Sequence, residues 1–93
     1  MIPREIEIQN YILESLSELY NISPFSVIYT ECYGIVRISI TLFGSDDLQE
    51  FLDFLGYKKL CDKTGFIVFY DKQTVILSGL AKDILFKKLK PSL

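Results

Sequence analysis

The chain has 93 residues, of which 49% are hydrophobic, 24% are charged and none is histidine, and its formal net charge is −2. The length predicts one domain over residues 1–93. The slightly acidic balance argues against a dedicated duplex-DNA binder, because such proteins carry a basic footprint. Without histidine the chain lacks the most common general base and metal ligand. We therefore expect no metal, no cofactor and no enzymatic activity.

The cysteines and the apolar runs bear on the location of the protein. Two cysteines, Cys32 and Cys61, do not make a disulfide framework. Charged residues stand near the N-terminus where a signal peptide needs an apolar run. The longest charge-free segment, residues 19–30, is shorter than the roughly 20 residues that cross a bilayer. We expect a cytoplasmic protein without membrane insertion. The many lysines and isoleucines beside a single Ala indicate an AT-rich genome, and few Asn and Gln would suit a thermophile.

Apolar periodicity and turn residues predict eight elements. The predicted helices are 4–20, 46–55 and 80–90, and the predicted strands are 25–31, 34–43, 57–61, 66–70 and 74–78. The order α-β-β-α-β-β-β-α indicates an α+β fold, with a single antiparallel or mixed five-stranded sheet and helices packed on it. The fourth strand is apolar on both faces, which predicts a central place in the sheet.

The second strand shows the clearest alternation. Val36, Ile38, Ile40 and Leu42 are expected to face the core, and the residues between them face the opposite way. That opposite stripe consists of Arg37, Ser39 and Thr41. We interpret it either as a solvated surface or as a face on which a partner docks.

Two of the predicted helices have clear apolar faces. In the first helix we expect Ile12, Leu13, Leu16, Leu19 and Tyr20 to lie inward. In the middle helix one face carries Leu48, Phe51, Leu52 and Leu55, followed by Tyr57 in the next predicted strand. Because a small domain gains stability from a shared core, these last five residues are predicted to form a homodimer interface.

Two stretches carry a family resemblance. The run NISPFSVIYTECYGIVRIS and the tail FIVFYDKQTVILSGLAKDILFKKL resemble the roadblock family, which is close kin of the longin fold. Gly34, Ile35, Val36 and Ser39 match the family pattern, whereas Tyr33 replaces its usual acidic residue and the middle helix is shorter. The resemblance implies a non-enzymatic homodimer that docks a small GTPase as a regulator or assembles scaffolds.

A second interpretation rests on residues 46–90, whose order resembles double-stranded-RNA-binding-like domains, including small mRNA-cleaving toxins. Those toxins place a histidine where this chain has Phe66, so cleavage is excluded. RNA binding by shape would use a basic patch. Its candidate residues are Lys58, Lys59, Lys63, Lys87, Lys88 and Lys90. The C-terminal lysines also suit the negative end of a helix dipole. A virus- or plasmid-encoded protein that blocks a host complex is a third hypothesis, since it needs only a surface.

Overall fold

The computed structural model describes residues 3–56 and 67–89. Within them it has three helices and four strands, which confirms the α+β class. In chain order they are α1 (Arg4–Leu19), β1 (Pro24–Cys32), β2 (Ile35–Leu42), α2 (Ser45–Leu55), β3 (Ile67–Phe69), β4 (Thr74–Ser78) and α3 (Gly79–Leu89). The predicted strand at 57–61 lies outside the described residues, so the fifth strand is not confirmed.

The described strands form one antiparallel sheet in the order β1-β2-β4-β3. The pairing of β2 with β4 joins the first hairpin to the later strands. Among the described strands β3 lies at the end of the order and pairs with β4 alone. The central position expected for the apolar strand at 66–70 is therefore not seen in this part of the chain. β4, the last strand in sequence, lies between two others because the chain returns antiparallel beside β2.

The first hairpin turns through the two residues Tyr33 and Gly34, whose φ angles are 53° and 80°. Two positive φ angles in a two-residue loop define a type I′ turn, which matches the right-handed twist of the strands it joins. Glycine adopts this conformation without strain, whereas tyrosine does so at a cost. The predicted strands 25–31 and 34–43 leave two residues between them, and the structure has a two-residue loop one position further along the chain.

The helices pack on one face of the sheet, and the alternation in β2 decides which residues they cover. Ile38, Ile40 and Leu42 are buried, and Val36 is half-buried. One cluster of buried side chains joins these strand residues to the helices. Its members are Ile12, Leu16, Ile22, Val27, Tyr29, Ile38, Ile40, Leu42, Phe51, Leu55, Val75, Leu77, Ala81, Leu85 and Leu89. The inward face predicted for β2 is thus confirmed.

The buried stripe of α1 is narrower than the sequence predicted. Ile12 and Leu16 are fully buried, but Leu13 is 36% exposed and Leu19 is 60% exposed. Leu13 lies about 100° from Ile12 around the helix, and it therefore points away from the sheet. Leu19 is the last residue of the helix. The prediction that both face the core is wrong.

Candidate interaction surface

The sheet face opposite the helices carries a row of residues that crosses all four described strands. The register places Ile28, Ser39, Ile76 and Val68 side by side. Ile28 is 50% exposed and Val68 is 49% exposed, while the two central residues are half-buried. No helix of residues 3–56 and 67–89 packs on this row. We call this row and its neighbours on the same side of the sheet the open face.

Two polar rows flank this apolar row. Thr30, Arg37 and Ser78 form one row, and Ser26, Thr41 and Thr74 form the other. The hydroxyl oxygens of Thr41 and Thr74 lie 2.9 Å apart and share a hydrogen bond. Arg37 is the one charged side chain that the register places on the open face within the described strands. The predicted docking stripe of Arg37, Ser39 and Thr41 therefore lies on this face, between apolar neighbours.

An aromatic pair borders the open face beyond the start of β1. The register shifts between Pro24 and Ser26, so Phe25 is the extra residue of a β-bulge. Its ring packs edge-to-face on Phe43, with centroids 5.4 Å apart. Both rings stay more than 60% exposed, at 63% and 64%. Such a pair enlarges the apolar surface that the sheet presents to solvent.

The turn between β3 and β4 holds this end of the sheet in place. The backbone N–H groups of Gln73 and Thr74 both donate to Oδ1 of Asp71 at 2.7 Å. The hydrogen bond from Gln73 holds the pKa of Asp71 below its usual value, since it stabilises the charged form. Gln73 in turn accepts a hydrogen bond from the backbone of Leu42 at 2.9 Å, and its side chain donates to the carbonyl oxygen of Phe43. The turn therefore fixes the backbone that displays Phe43.

The residues predicted as a dimer interface on α2 face the core of their own chain. Phe51, Leu52 and Leu55 are buried, and Leu48 is half-buried. Phe51 and Leu55 belong to the same cluster as the sheet residues. Tyr57 lies outside the described residues. The apolar face of α2 is thus occupied by the chain itself and leaves little surface for a second copy.

The described lysines of the predicted basic patch lie in the last turn of α3. Lys87 is exposed, and Nζ of Lys88 lies 5.5 Å from the centroid of the Phe54 ring. Nearby, Lys82 pairs with Asp83 at 2.8 Å. Lys58, Lys59, Lys63 and Lys90 lie outside the described residues, so the patch as a whole stays a prediction.

A shallow cleft that the sequence did not indicate lies between the start of α1 and α3. Its volume is about 480 Å³, and it is lined by Arg4, Glu7, Ile8, Tyr11, Tyr29 and Phe86. The cleft is open to solvent and brings together one cation and one carboxylate.

Residues 3–56 and 67–89 contain no group of three His, Cys, Asp or Glu that could hold a metal ion. No helix in these two ranges has the length and apolar character needed to cross a membrane. Comparison of the chain with protein-family models, curated proteins and solved structures found no match.

The predictions from the sequence did not include the apolar residues of the open face. Ile28 lies between Val27 and Tyr29, so β1 is apolar on both sides and its pattern does not tell which side is covered. Val68 belongs to a strand with the same ambiguity. The exposed pair Phe25 and Phe43 depends on a bulge, for which the sequence offers no recognisable signal.

Proposed function

We propose that this chain is a non-enzymatic protein-interaction module that binds a protein partner on the open face of its sheet. The observation that carries the proposal is the row of Ile28, Ser39, Ile76 and Val68, whose two ends are about half exposed. A contiguous apolar patch on a small domain usually marks a site of association. Aromatic residues such as Phe25 and Phe43 are enriched at such interfaces.

The charge of the open face favours a protein over a nucleic acid. Nucleic-acid binding draws its affinity from several cations that neutralise phosphates. The open face offers Arg37 as its single cation within the described strands. The exposed side of α1 is acidic, with Glu5, Glu7, Glu14 and Glu18. The acidic side of α1 would therefore repel a phosphate backbone, and the open face has too few cations to bind one.

A role as a small-GTPase regulator or scaffold, in the manner of the roadblock family, is the more specific form of this proposal. It rests on the resemblance in element order and hairpin pattern. The sharing of one sheet by the hairpin and the later strands supports it. A small GTPase would then bind this chain in a manner that depends on the bound nucleotide.

The proposal is tested by comparing face variants with a matched helix variant. Ile28→Lys and Val68→Lys each place a charge on the open face, whereas Leu13→Lys places one on α1 at a similarly exposed position. Tagged proteins are incubated in lysate from cells of the source with GDP or a GTP analogue, and they are cross-linked afterwards. Quantitative mass spectrometry then identifies what each variant retains.

We expect a protein partner that the wild type and Leu13→Lys retain and that both face variants lose. Dependence on the added nucleotide would support the small-GTPase form. The proposal is wrong if every cross-linked partner is retained equally by the face variants, or if no partner is found.

A further inference from the structure

We infer that the partner on the open face is a second copy of this chain, so that two sheets stack face to face as a symmetric sandwich. This inference rests on the proposed function, because it takes the open face to be an interaction surface. It replaces the predicted interface on α2, where Phe51, Leu52 and Leu55 are already buried in their own chain. Three features of the open face support it: its area, its neutral centre and the order of large and small side chains across it.

The area of the open face suits a modest dimer. Adjacent strands lie about 4.8 Å apart and residues rise about 3.3 Å along a strand, so the 25 residues of the four described strands cover roughly 400 Å². Stacking two such faces buries on the order of 800 Å² in total, which is the size of a weak, transient interface. We therefore expect dissociation in the micromolar range, not an obligate dimer.

The distribution of charge suits an identical partner. Two copies of a charged surface would repel each other, but Arg37 is the one charged residue on the open face within the described strands. Arg37 also lies to one side of the apolar row, between Thr30 and Ser78. The centre of the face is therefore neutral and can be desolvated against itself.

The order of large and small side chains along the apolar row fits a second copy of the same row that is related by one two-fold axis. An axis parallel to the strands, between β2 and β4, places Ile28 over the partner's Val68 and Ser39 over the partner's Ile76. Each large central residue then meets a small one, as tight packing requires. The same axis places Arg37 over the partner's Ser78 instead of the partner's Arg37, so the like charges do not oppose each other.

The test measures the mass of the purified full chain by sedimentation velocity between 2 and 200 µM, a range of about two decades around micromolar dissociation constants. We expect the wild type and Leu13→Lys to pass from monomer to dimer over this range. Ile28→Lys and Val68→Lys should each weaken dimerisation at least tenfold. Circular dichroism and the melting temperature of each monomer verify that the variants remain folded.

Mixing experiments test the axis itself. Chains carrying Ile28→Lys and chains carrying Val68→Glu should each be monomeric alone, because each homodimer would bury unpaired charges. When mixed, they should form a heterodimer, since the inferred axis sets Lys against Glu at one site and Val68 against Ile28 at the other. Mixing Ile28→Lys with Ile28→Glu should restore no dimer, because position 28 does not face itself.

Each result bears on the inference. A wild type that is monomeric at 200 µM overturns the inference, because this concentration is far above the expected micromolar dissociation constant. A dimer that survives both face variants, or that is lost in Leu13→Lys, places the interface elsewhere and also overturns it. None of these outcomes decides the proposed function, which fails separately when cross-linked partners are absent or indifferent to the face variants.

Discussion

The hydroxyl of Tyr11 donates a hydrogen bond to the carbonyl oxygen of Leu89, 3.0 Å away, and so joins the middle of α1 to the end of α3. Directly after the last residue of α1, the hydroxyl of Tyr20 donates to the carbonyl oxygen of Lys88. The last carbonyl groups of a helix have no partner within it. Two tyrosine side chains, one in α1 and one directly after it, thus donate hydrogen bonds to the last carbonyl groups of α3.

Removing the Tyr11 hydroxyl should therefore weaken the whole domain. Tyr11→Phe is expected to lower the free energy of unfolding by about 1 kcal/mol, the net contribution of one hydrogen bond. Urea denaturation measures the change, with Tyr33→Phe as the control because Tyr33 is fully exposed at the hairpin turn. Equal stability of Tyr11→Phe and wild type would show that the bond contributes nothing.

Phe51 should behave as a residue of the chain's own core. Phe51→Ala is expected to cost about 3–5 kcal/mol because it leaves a cavity among fully buried neighbours. The loss should be the same at low and high protein concentration, since Phe51 packs within one chain. Urea denaturation at 2 and 100 µM provides the measurement, because these concentrations span the micromolar range of dissociation constants. A loss that grows with protein concentration would instead assign Phe51 to an interface.

One substitution in the hairpin turn should raise the stability of the protein. Tyr33 has φ 53° and is fully exposed, so its side chain gains no packing in return for the strained backbone. Tyr33→Asn should raise the free energy of unfolding by about 0.5–1 kcal/mol, because Asn tolerates this conformation and Asn-Gly is a preferred type I′ pair. Thermal denaturation measures the gain.

The neighbouring residue supplies the opposite control for the turn. Gly34→Ala should destabilise the protein, although an added Cβ would meet nothing within 4 Å. Its cost comes from the backbone alone, since φ is 80° at this position. A stabilising Gly34→Ala would contradict the assignment of the turn.

Gln9 should protect the outer edge of β1. Its Oε1 accepts a hydrogen bond from the backbone N–H of Tyr29 at 2.8 Å, and β1 is at the end of the sheet order among the described strands. Gln9→Leu removes the acceptor and should cost about 1–2 kcal/mol, because a partly buried donor is left unpaired. It should also increase aggregation, since unprotected edges pair with other chains.

Gln9→Glu is the matched variant for this contact, because it keeps an acceptor oxygen at the same length of side chain. Hydrogen exchange at the Tyr29 amide distinguishes the two variants. Exchange should be faster in Gln9→Leu and close to the wild-type rate in Gln9→Glu. Unchanged exchange in both variants would mean that Gln9 does not hold this amide.

The main local elements were predictable from residue patterns. The alternation in Val36–Leu42 and the short connection before it follow from short-range rules on periodicity and turns. The lysines in the last turn of the final helix follow from the rules on helix ends. The structure also ends α2 at Gly56, where φ is 76° and the N–H donates to Asp53. Glycine after an apolar helix is the expected signal for such an end.

The placement of those elements was decided only by tertiary structure. Period-2 alternation groups Arg37, Ser39 and Thr41 on one face, but it does not tell which face the helices cover or what lies beside them. The return of β4 next to β2 brings Ile28 and Val68 into one row. Pairing between segments far apart in sequence depends on the packing of the whole core, which no local pattern records.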